Sequence, residues 1–391
     1  MSETKNFKIK TAFYERPNGS LENQWPAGID IGYSSVKVFS PNGVSIFPSF
    51  AKKTDADTIG TLPPDYIEYT NLVTGEKWVV GEAAQNELDQ NDVTASDRIL
   101  YSRQRYDAPM FLVLVDVGLG LACMKNGYDD PAGKTVYIET GLPSKYLNKD
   151  SGPLKKAFSG RHQFSLKIGT KEVKNFDISV DMENVDVMDQ PMGTLMSIAI
   201  GNDHKFVKDA PNYFNKNVII FDGGHGTLDV FAIRNNKVDD RQTLPDCSMK
   251  QIIENTRNEI AKLYGEEVSP LAMQRYLETG MVVCHDRLSS EEKPFGDILL
   301  RESQKVCDEA IDRVSRIFNL ADFNYFVITG GTCAAWEERI REMLKNLSNL
   351  KIVAGNQNDD TLPFDFANVR GYYFYLYEKI FRQNATAKKE A

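Results

Sequence analysis

One short pattern occurs twice in this chain, about 190 residues apart. Residues 28–39 read GIDIGYSSVKVF, and residues 218–233 read VIIFDGGHGTLDVFAI. Each pattern is an apolar β-rich run, an Asp, a Gly-containing turn and a second β-rich run. Glycines let backbone N–H groups approach an anion that a Cβ would hold away, and an Asp at a strand end can reach a hydrated Mg²⁺. The pair therefore predicts two facing hairpins that close on the phosphates of a nucleotide.

A third signal makes this interpretation more specific. Residues 326–336 read FVITGGTCAAW, which predicts a strand that runs into a Gly-Gly turn and a helix. A single Asp-x-Gly after a strand is common turn chemistry. Two such hairpins followed by the Gly-Gly turn, about 100 residues further on, are much less common.

Composition limits the function classes. The chain has 391 residues, enough for two domains, with 41% apolar and 26% charged residues. A net charge of −9 argues against direct binding of nucleic acid, which needs a basic surface. The longest apolar stretch, Met110 to Met124, contains Asp116 and is too short to span a membrane. The N-terminal residues lack an apolar signal-peptide core, so we expect a cytoplasmic protein.

Cysteine usage agrees with this location. The five cysteines are an odd number without CxxC spacing, which predicts reduced and mostly buried thiols. They are Cys123, Cys247, Cys284, Cys307 and Cys333.

Periodicity and turn residues give a coarse organisation. Residues 1–26 are polar and are predicted to be an irregular extension, residues 51–77 are predicted to be an insertion with short strands, and Asn42-Gly43 predicts a hairpin turn. The predicted strands are 28–33, 35–40, 43–49, 78–81, 136–140, 162–168, 173–181, 218–222, 228–233, 325–329 and 350–353. The predicted helices are 108–126, 152–159, 191–201, 248–264, 269–278, 298–318, 333–347 and 366–381, with a further helix starting at Glu82.

Four further motifs narrow the family. They are WVVGEAA at 78–84, TGLPSKYL at 140–147, DQPMG at 189–193 and FANVRGYYFY at 366–375. Together with the two hairpins and the Gly-Gly turn, they resemble the bacterial plasmid and phage members of the actin-like ATPase superfamily, the ParM/StbA/Alp group. The resemblance runs from about residue 27 to about residue 375. The long N-terminal extension and His225 in the second turn depart from the family pattern.

The resemblance implies an α/β fold with two actin-like domains, that is, duplicated ribonuclease-H-like domains with four subdomains. Domain I would be 27–200 plus 355–391 and domain II 201–354, with subdomain insertions at about 41–100 and 236–290. The nucleotide would bind in the cleft between the domains. The implied activity is ATP- and Mg²⁺-dependent polymerisation into filaments with ATP hydrolysis, which moves plasmid DNA through a DNA-bound adaptor protein. The choice between ATP and GTP stays open.

The residues of the two hairpins have implied roles. Asp30 and Asp222 would hold waters of a nucleotide-bound Mg²⁺, with a turn-capping Asp as the alternative for each. Lys37 follows Asp30 by seven residues, as the phosphate-contacting lysine does in actin; the alternative is a solvated strand lysine. Asp229 either caps the turn or orients a water. The residues predicted to bind the phosphates are Gly32, Tyr33 and Ser34 in the first turn and Gly223, Gly224, His225, Gly226 and Thr227 in the second.

The attacking water needs a positioning residue, since phosphoryl transfer requires little covalent help. The fold implies Gln190, at the strand-to-helix connection after the first domain's sheet, with Asp189 as the competing candidate. Gln190-Pro191 as a plain helix start is the alternative. Gly330, Gly331 and Thr332 would lie under the nucleoside. For the ribose, the sequence does not choose among Asn255, Asn258 and Glu259.

Two other functions stay open from the sequence. One is a small-molecule kinase of the same superfamily, and the other is a non-filamentous regulatory ATPase. A P-loop is excluded, because the stretch from Gly127 to Thr135 has five residues between its glycines and leads into a predicted strand. Lys134 in this stretch is predicted to be a surface lysine.

Overall fold

The computed structural model describes residues 4–55, 62–87, 105–235 and 237–390. Its contacts divide the chain into two compact units. The first unit holds Ile9–Lys205 and the residues from Asn368 onward. The second unit holds the N-terminal residues through Lys8 and the segment Phe206–Ala367. The chain therefore passes between the units at three points.

The described strands and helices follow the predicted α/β alternation. The strands are β1 (Ala12–Glu15), β2 (Gln24–Ile31), β3 (Ser35–Ser40), β4 (Gly43–Pro48), β5 (Ala51–Thr54), β6 (Ile67–Asn71), β7 (Lys77–Val80), β8 (Thr135–Leu142), β9 (Gly160–Ile168), β10 (Lys174–Val180), β11 (Val185–Asp189), β12 (Val218–Gly223), β13 (Leu228–Arg234), β14 (Lys237–Leu244), β15 (Met281–His285), β16 (Ser290–Pro294), β17 (Tyr325–Thr329) and β18 (Lys351–Ala354). The helices are α1 (Glu82–Glu87), α2 (Pro109–Ala122), α3 (Leu147–Phe158), α4 (Gln190–Ala199), α5 (Ala210–Asn215), α6 (Met249–Tyr264), α7 (Pro270–Thr279), α8 (Gly296–Ile317), α9 (Gly331–Leu344) and α10 (Ala367–Glu390).

The main sheets of the two units repeat one topology. In the first unit the order is β1-β4-β3-β2-β8-β11, and in the second it is β14-β13-β12-β17-β18. In each sheet a central strand (β2 or β12) pairs antiparallel with the next strand of a meander on one side. On its other side it pairs parallel with a strand that arrives through helices. This duplication confirms the predicted α/β fold with two related halves.

The central strands are buried almost throughout, as expected for strands covered on both faces. Seven of the eight residues of β2 and all six of β12 are buried. Helix α2 covers the first sheet and is nearly all apolar. Its one charged residue, Asp116, accepts hydrogen bonds from the Tyr69 hydroxyl at 2.6 Å and from Nδ1 of His162 at 2.7 Å. Burial, and then the nearby Asp116 carboxylate, raise the pKa of Tyr69, so this hydroxyl stays a donor.

No helix in the described ranges has both the length and the apolar character to cross a bilayer. All five cysteines are free thiols, and four of them are buried, with Cys284 half-buried. Burial raises the pKa of the Cys123 thiol to about 12, which keeps it protonated and unreactive. The prediction of mostly buried thiols is confirmed.

The predicted extension 1–26 is not irregular. Residues Thr4–Phe7 form one helical turn, β1 adds to the edge of the first sheet beside β4, and β2 begins at Gln24. The segment Ala12–Glu15 is too short to show a period of its own, so only its pairing with β4 makes it a strand.

The lysine in the rejected P-loop stretch also differs from prediction. Lys134 is largely buried, with Nζ 2.6 Å from Oδ2 of Asp129 and 5.3 Å from the ring centre of Trp25.

Several other predictions were wrong in detail. The hairpin after β3 exists, but Ser40 pairs with Gly43, so its turn residues are Pro41 and Asn42 rather than Asn42 and Gly43. Strands β11, β14, β15 and β16 were missed. Strand β14 carries no buried residue, and an exposed polar edge strand lacks the apolar alternation that sequence reasoning detects. The predicted insertion at 41–100 holds only part of the β10-β9-β6-β7-β5 sheet, because 160–180 supplies the rest.

The C-terminal motif at 366–375 packs helix α10 against helix α4. A Cβ on Gly371 would lie 1.7 Å from the carbonyl oxygen of Gly193, so the two backbones touch. The hydroxyl of Thr194 donates to Oδ1 of Asn368 at 2.5 Å. The buried Arg370 guanidinium donates to carbonyls at the C-terminal end of α4, including that of Ser197 at 2.6 Å. The motif residues therefore hold the helix that begins at Gln190.

This contact generates a stability prediction. Gly371→Ala should lower the free energy of unfolding by about 1–3 kcal/mol, because the new methyl meets backbone that cannot rotate away. Gly127→Ala is the control, because nothing lies within 4 Å of the Cβ position of Gly127 and its φ is outside the left-handed region. The control should change the free energy of unfolding by less than about 1 kcal/mol. Urea unfolding followed by circular dichroism measures both, and equal midpoints for the two variants would contradict the described packing.

Candidate nucleotide site

The first predicted hairpin is formed by β2, β3 and the turn between them. Asp30 lies near the end of β2 and is 4% exposed. In the turn, the N–H of Gly32 donates to the carbonyl of Ser35 at 2.9 Å. A Cβ on Gly32 would lie 2.9 Å from that same oxygen, so a side chain would push the turn open. Ser49 holds the turn from β4's end, because its hydroxyl donates to the carbonyl of Gly32 at 2.9 Å.

The second hairpin, between β12 and β13, has the same local geometry. Asp222 lies near the end of β12 and is 7% exposed. The N–H of Gly224 donates to the carbonyl of Thr227 at 2.9 Å, and a Cβ on Gly224 would lie 3.1 Å from that oxygen. Each unit therefore carries one turn in which a buried Asp is followed two residues later by a glycine that closes a tight loop.

The residues predicted to lie under the nucleoside contact the second turn. Gly330 has φ +83°, and a Cβ on it would lie 2.6 Å from Oδ1 of Asp222. The hydroxyl of Thr332 donates to the carbonyl of Gly224 at 2.8 Å. The structure thus brings 330–332 and 223–227 together. From the other side, the N–H of Lys250 donates to the carbonyl of His225 at 2.9 Å, which fixes the loop position of that histidine.

One residue at this place was missed by sequence reasoning. A Cβ on Gly331 would lie 2.4 Å from Oδ1 of Asp365, so the acidic side chain packs directly on the glycine. Asp365 precedes the C-terminal motif by one residue, and no local pattern links it to the Gly-Gly turn. Its position depends on how the segment before α10 returns to α9.

The residues opposite the two aspartates differ in charge. In the first hairpin Asp30 pairs in register with Lys37, whose Nζ lies 3.7 Å from Oδ2 of the carboxylate. In the second hairpin Asp222 pairs in register with Asp229, and both are buried. Like charges directly opposite each other destabilise a hairpin unless donors or a cation compensate them. The carboxylate pair of the second hairpin therefore needs compensating donors or a cation.

Asp229 has a structural role in this hairpin. Its carboxylate accepts hydrogen bonds from the hydroxyl of Thr227 at 2.8 Å and from that of Thr243 at 2.5 Å. Of the two predicted roles, turn capping and water orientation, these contacts favour capping.

The two candidates for positioning the attacking water, Gln190 and Asp189, have different hydrogen-bond partners. Gln190 is the first residue of α4, and its Nε2 donates to Oδ1 of Asp30 at 3.2 Å. Asp189 is buried, and its Oδ1 accepts from the hydroxyl of Ser144. Ser144 lies in the quoted TGLPSKYL motif but was not assigned a role. The structure thus brings Gln190, Asp30 and Lys37 into one cluster and directs the Asp189 carboxylate to Ser144.

The remaining predicted residues have identifiable neighbours. The ring of Tyr33 lies under the guanidinium of Arg105, whose Cζ is 4.9 Å from the ring centre. Arg105 is 6% exposed and was missed, since a lone arginine gives no sequence signal. Of the ribose candidates, Glu259 pairs with Lys262 at 2.7 Å, and the hydrogen bond from that lysine lowers the pKa of its carboxyl group. Asn255 accepts a hydrogen bond from Gln251 at 2.8 Å.

Comparison with known proteins identifies a family and solved structures that resemble this chain. The family described as the N-terminal domain of actin-like proteins matches residues 28–193. No curated protein matches the chain. Among solved structures, a ParM protein in a 15-stranded filament from Clostridium botulinum is 18% identical with a TM-score of 0.69, covering 91% of this chain and 100% of that one.

Two further structures give the same picture. Actin-like protein Alp7A is 15% identical with a TM-score of 0.64, covering 94% of this chain and 99% of its own. The archaeal actin homologue Ta0583, in complex with ADP, is 16% identical with a TM-score of 0.59, covering 90% of this chain and 98% of its own. The chain therefore has the actin-like fold, and the predicted fold class is confirmed.

Proposed function

We propose that this chain, whose residues 28–193 match the actin-like N-terminal domain and which has the actin-like fold, is an ATPase that polymerises into filaments. The observation that carries the proposal is the repeated turn. A buried Asp at a strand end and a glycine-closed loop occur in each unit, with the same 2.9 Å closing hydrogen bond. Loops of this kind suit anionic groups, and the phosphates of a nucleoside triphosphate are such groups.

The donor set fits a hydrated Mg²⁺ carried by the nucleotide. Asp30 and Asp222 are carboxylates at strand ends, and Mg²⁺ usually keeps most of its waters while carboxylates accept from them. When bound, the ion would neutralise charge on the phosphates. The opposed Asp222 and Asp229 carboxylates gain most from such a cation.

The loop backbones fit the phosphates, and the Gly-Gly turn fits the nucleoside. Residues 32–34 and 223–227 would surround β- and γ-phosphate, with the N–H groups of Gly32 and Gly224 closing the turns and Lys37 adding a positive charge beside Asp30. Residues 330–332 pack against the second turn and would lie under the base and ribose. The archaeal homologue's ADP complex supports a nucleotide as the ligand.

Gln190 is the residue that we propose to position the attacking water. Its amide is half-buried and lies beside Asp30, whereas the Asp189 carboxylate is occupied by the Ser144 hydroxyl. A glutamine amide can both accept from and donate to a water, which suits orientation of the nucleophile without a change of charge.

Filament formation is proposed from the fold relatives, one of which is described as a filament. We propose that the filament moves plasmid DNA in the cytoplasm through a DNA-binding adaptor. The net charge of −9 fits an arrangement in which the adaptor, rather than this chain, contacts the DNA.

The proposal predicts nucleotide-dependent assembly. ATP with Mg²⁺ should move the purified chain into the pellet in high-speed sedimentation and should raise light scattering, while ADP or no nucleotide should do so less. Protein that stays in the supernatant under all three conditions, from micromolar to tens of micromolar, would show that the filament function is wrong. ATP hydrolysis without assembly would support the kinase or regulatory alternative.

Asp222→Ala should weaken binding of Mg-nucleotide more than it destabilises the fold. Removing one of two opposed carboxylates relieves repulsion in the empty hairpin but removes a partner of the hydrated ion. A fluorescent ATP analogue measures the affinity with and without Mg²⁺, and thermal unfolding without nucleotide is the control. Unchanged affinity in a folded variant would remove Asp222 from the site.

Gln190→Ala should slow phosphate release about a hundredfold while affinity for ATP stays within a few-fold. A residue that orients water acts on the transition state, and the loss of one such contact costs on the order of 2–4 kcal/mol. Filaments should persist longer in light scattering, because ADP-bound subunits form more slowly. Wild-type phosphate release would exclude Gln190, and Asp189→Asn would then be the next variant to measure.

A further inference from the structure

We propose that Asp30 sets the orientation of the Gln190 side-chain amide, a positioning role separate from its expected contact with magnesium-bound water. The inference rests on the proposed function, because it concerns the water that Gln190 would orient. Asp30 does not touch that water in this role, and it acts through Gln190.

The chemistry of the contact fixes which end of the amide faces the carboxylate. An ionised carboxylate only accepts hydrogen bonds, so Gln190 must present its NH₂ end to Asp30. The distance from Nε2 to Oδ1 is 3.2 Å, and the Asp30 residue is 4% exposed. The carbonyl oxygen Oε1 of Gln190 is thereby the end that accepts a hydrogen bond from the attacking water. A flipped amide would offer only donors at that point.

The backbone of Gln190 is already held by helix packing, so only its side chain needs to be oriented. The backbone of α4 is held by α10 through the Gly193–Gly371 contact and the Thr194–Asn368 hydrogen bond. A glutamine has three side-chain torsions beyond that fixed backbone, and an unrestrained amide would sample several positions. The Asp30 hydrogen bond restrains the last of these torsions.

The two oxygens of Asp30 have different neighbours. Oδ1 accepts from Gln190, and Oδ2 lies 3.7 Å from Nζ of Lys37. A carboxylate has about four lone-pair positions, so both contacts leave room for a magnesium-bound water. Asp30 can therefore hold the amide and face the ion at the same time.

A double-mutant cycle that exchanges amide and carboxylate tests the contact. In Gln190→Glu, two acceptor-only carboxylates face each other, so the hydrogen bond is lost. In the double variant Asp30→Asn/Gln190→Glu, the new amide donates to the new carboxylate, which restores the hydrogen bond with its polarity reversed.

Single-turnover hydrolysis at saturating Mg-ATP is the main readout. Gln190→Glu should hydrolyse more slowly than wild type. The double variant should hydrolyse about tenfold faster than the product of the two single effects predicts. Such a rescue by Asp30→Asn, which by itself weakens the site, is not expected from a residue with a purely structural role.

Thermal unfolding without nucleotide is the second readout. Gln190→Glu should unfold at a lower temperature than wild type at pH 8, and the double variant should recover part of that loss. Additive effects in both hydrolysis and unfolding would overturn the inference. A wild-type chain that binds nucleotide without hydrolysing it would instead overturn the proposed function, and this inference with it.

Discussion

The glycine-closed turn at the end of each central strand is the constraint on which the candidate site depends. In both units an N–H to carbonyl hydrogen bond of 2.9 Å closes the loop, and a Cβ at Gly32 or Gly224 would press on the accepting oxygen. The turn places a buried carboxylate beside a tight loop at one end of each main sheet. In the proposed site the carboxylate would face a magnesium-bound water and the loop would face the phosphates.

The proposed role of Gln190 requires that the start of α4 has a fixed position. The packing of α4 on α10 holds this helix in place. Two glycines let the helix backbones touch, and the buried Arg370 donates to the carbonyls of Ser197 and Ile200 at the C-terminal end of α4. Cations at a helix C-terminus also interact favourably with its dipole. The C-terminal motif is therefore far from the first hairpin in sequence but holds the helix whose first residue, Gln190, contacts Asp30.

The two hairpins share geometry and differ in charge, which suggests a division of roles. Lys37 lies opposite Asp30, so the first hairpin is close to neutral and can orient Gln190. Asp229 lies opposite Asp222, so the second hairpin carries two carboxylates and depends on hydroxyl donors to hold one of them. The duplicated fold thus gives one half suited to positioning and one half suited to a cation.

The sequence by itself determined the fold class and the location of both turns. Apolar runs that end in Asp and Gly are local signals, and β2, β3, β12, β13 and β17 lie where they predict. Local signals also placed most of the helices, because their apolar residues repeat at helical spacing. The roles of Asp30, Gln190 and the Gly-Gly turn remain predictions. The structure shows which residues contact them.

Only the tertiary structure decided the remaining features. Strand β1 exists because β4 offers an edge to pair with, and β14 is polar because one side of it is an exposed edge. Ser144, Arg105 and Asp365 join the candidate site through contacts with residues 45, 72 and 34 positions away in sequence. A single sequence contains no local record of such pairings, because each depends on how distant segments pack. The hydrogen bond between Asp30 and Gln190, 160 residues apart, is of the same kind.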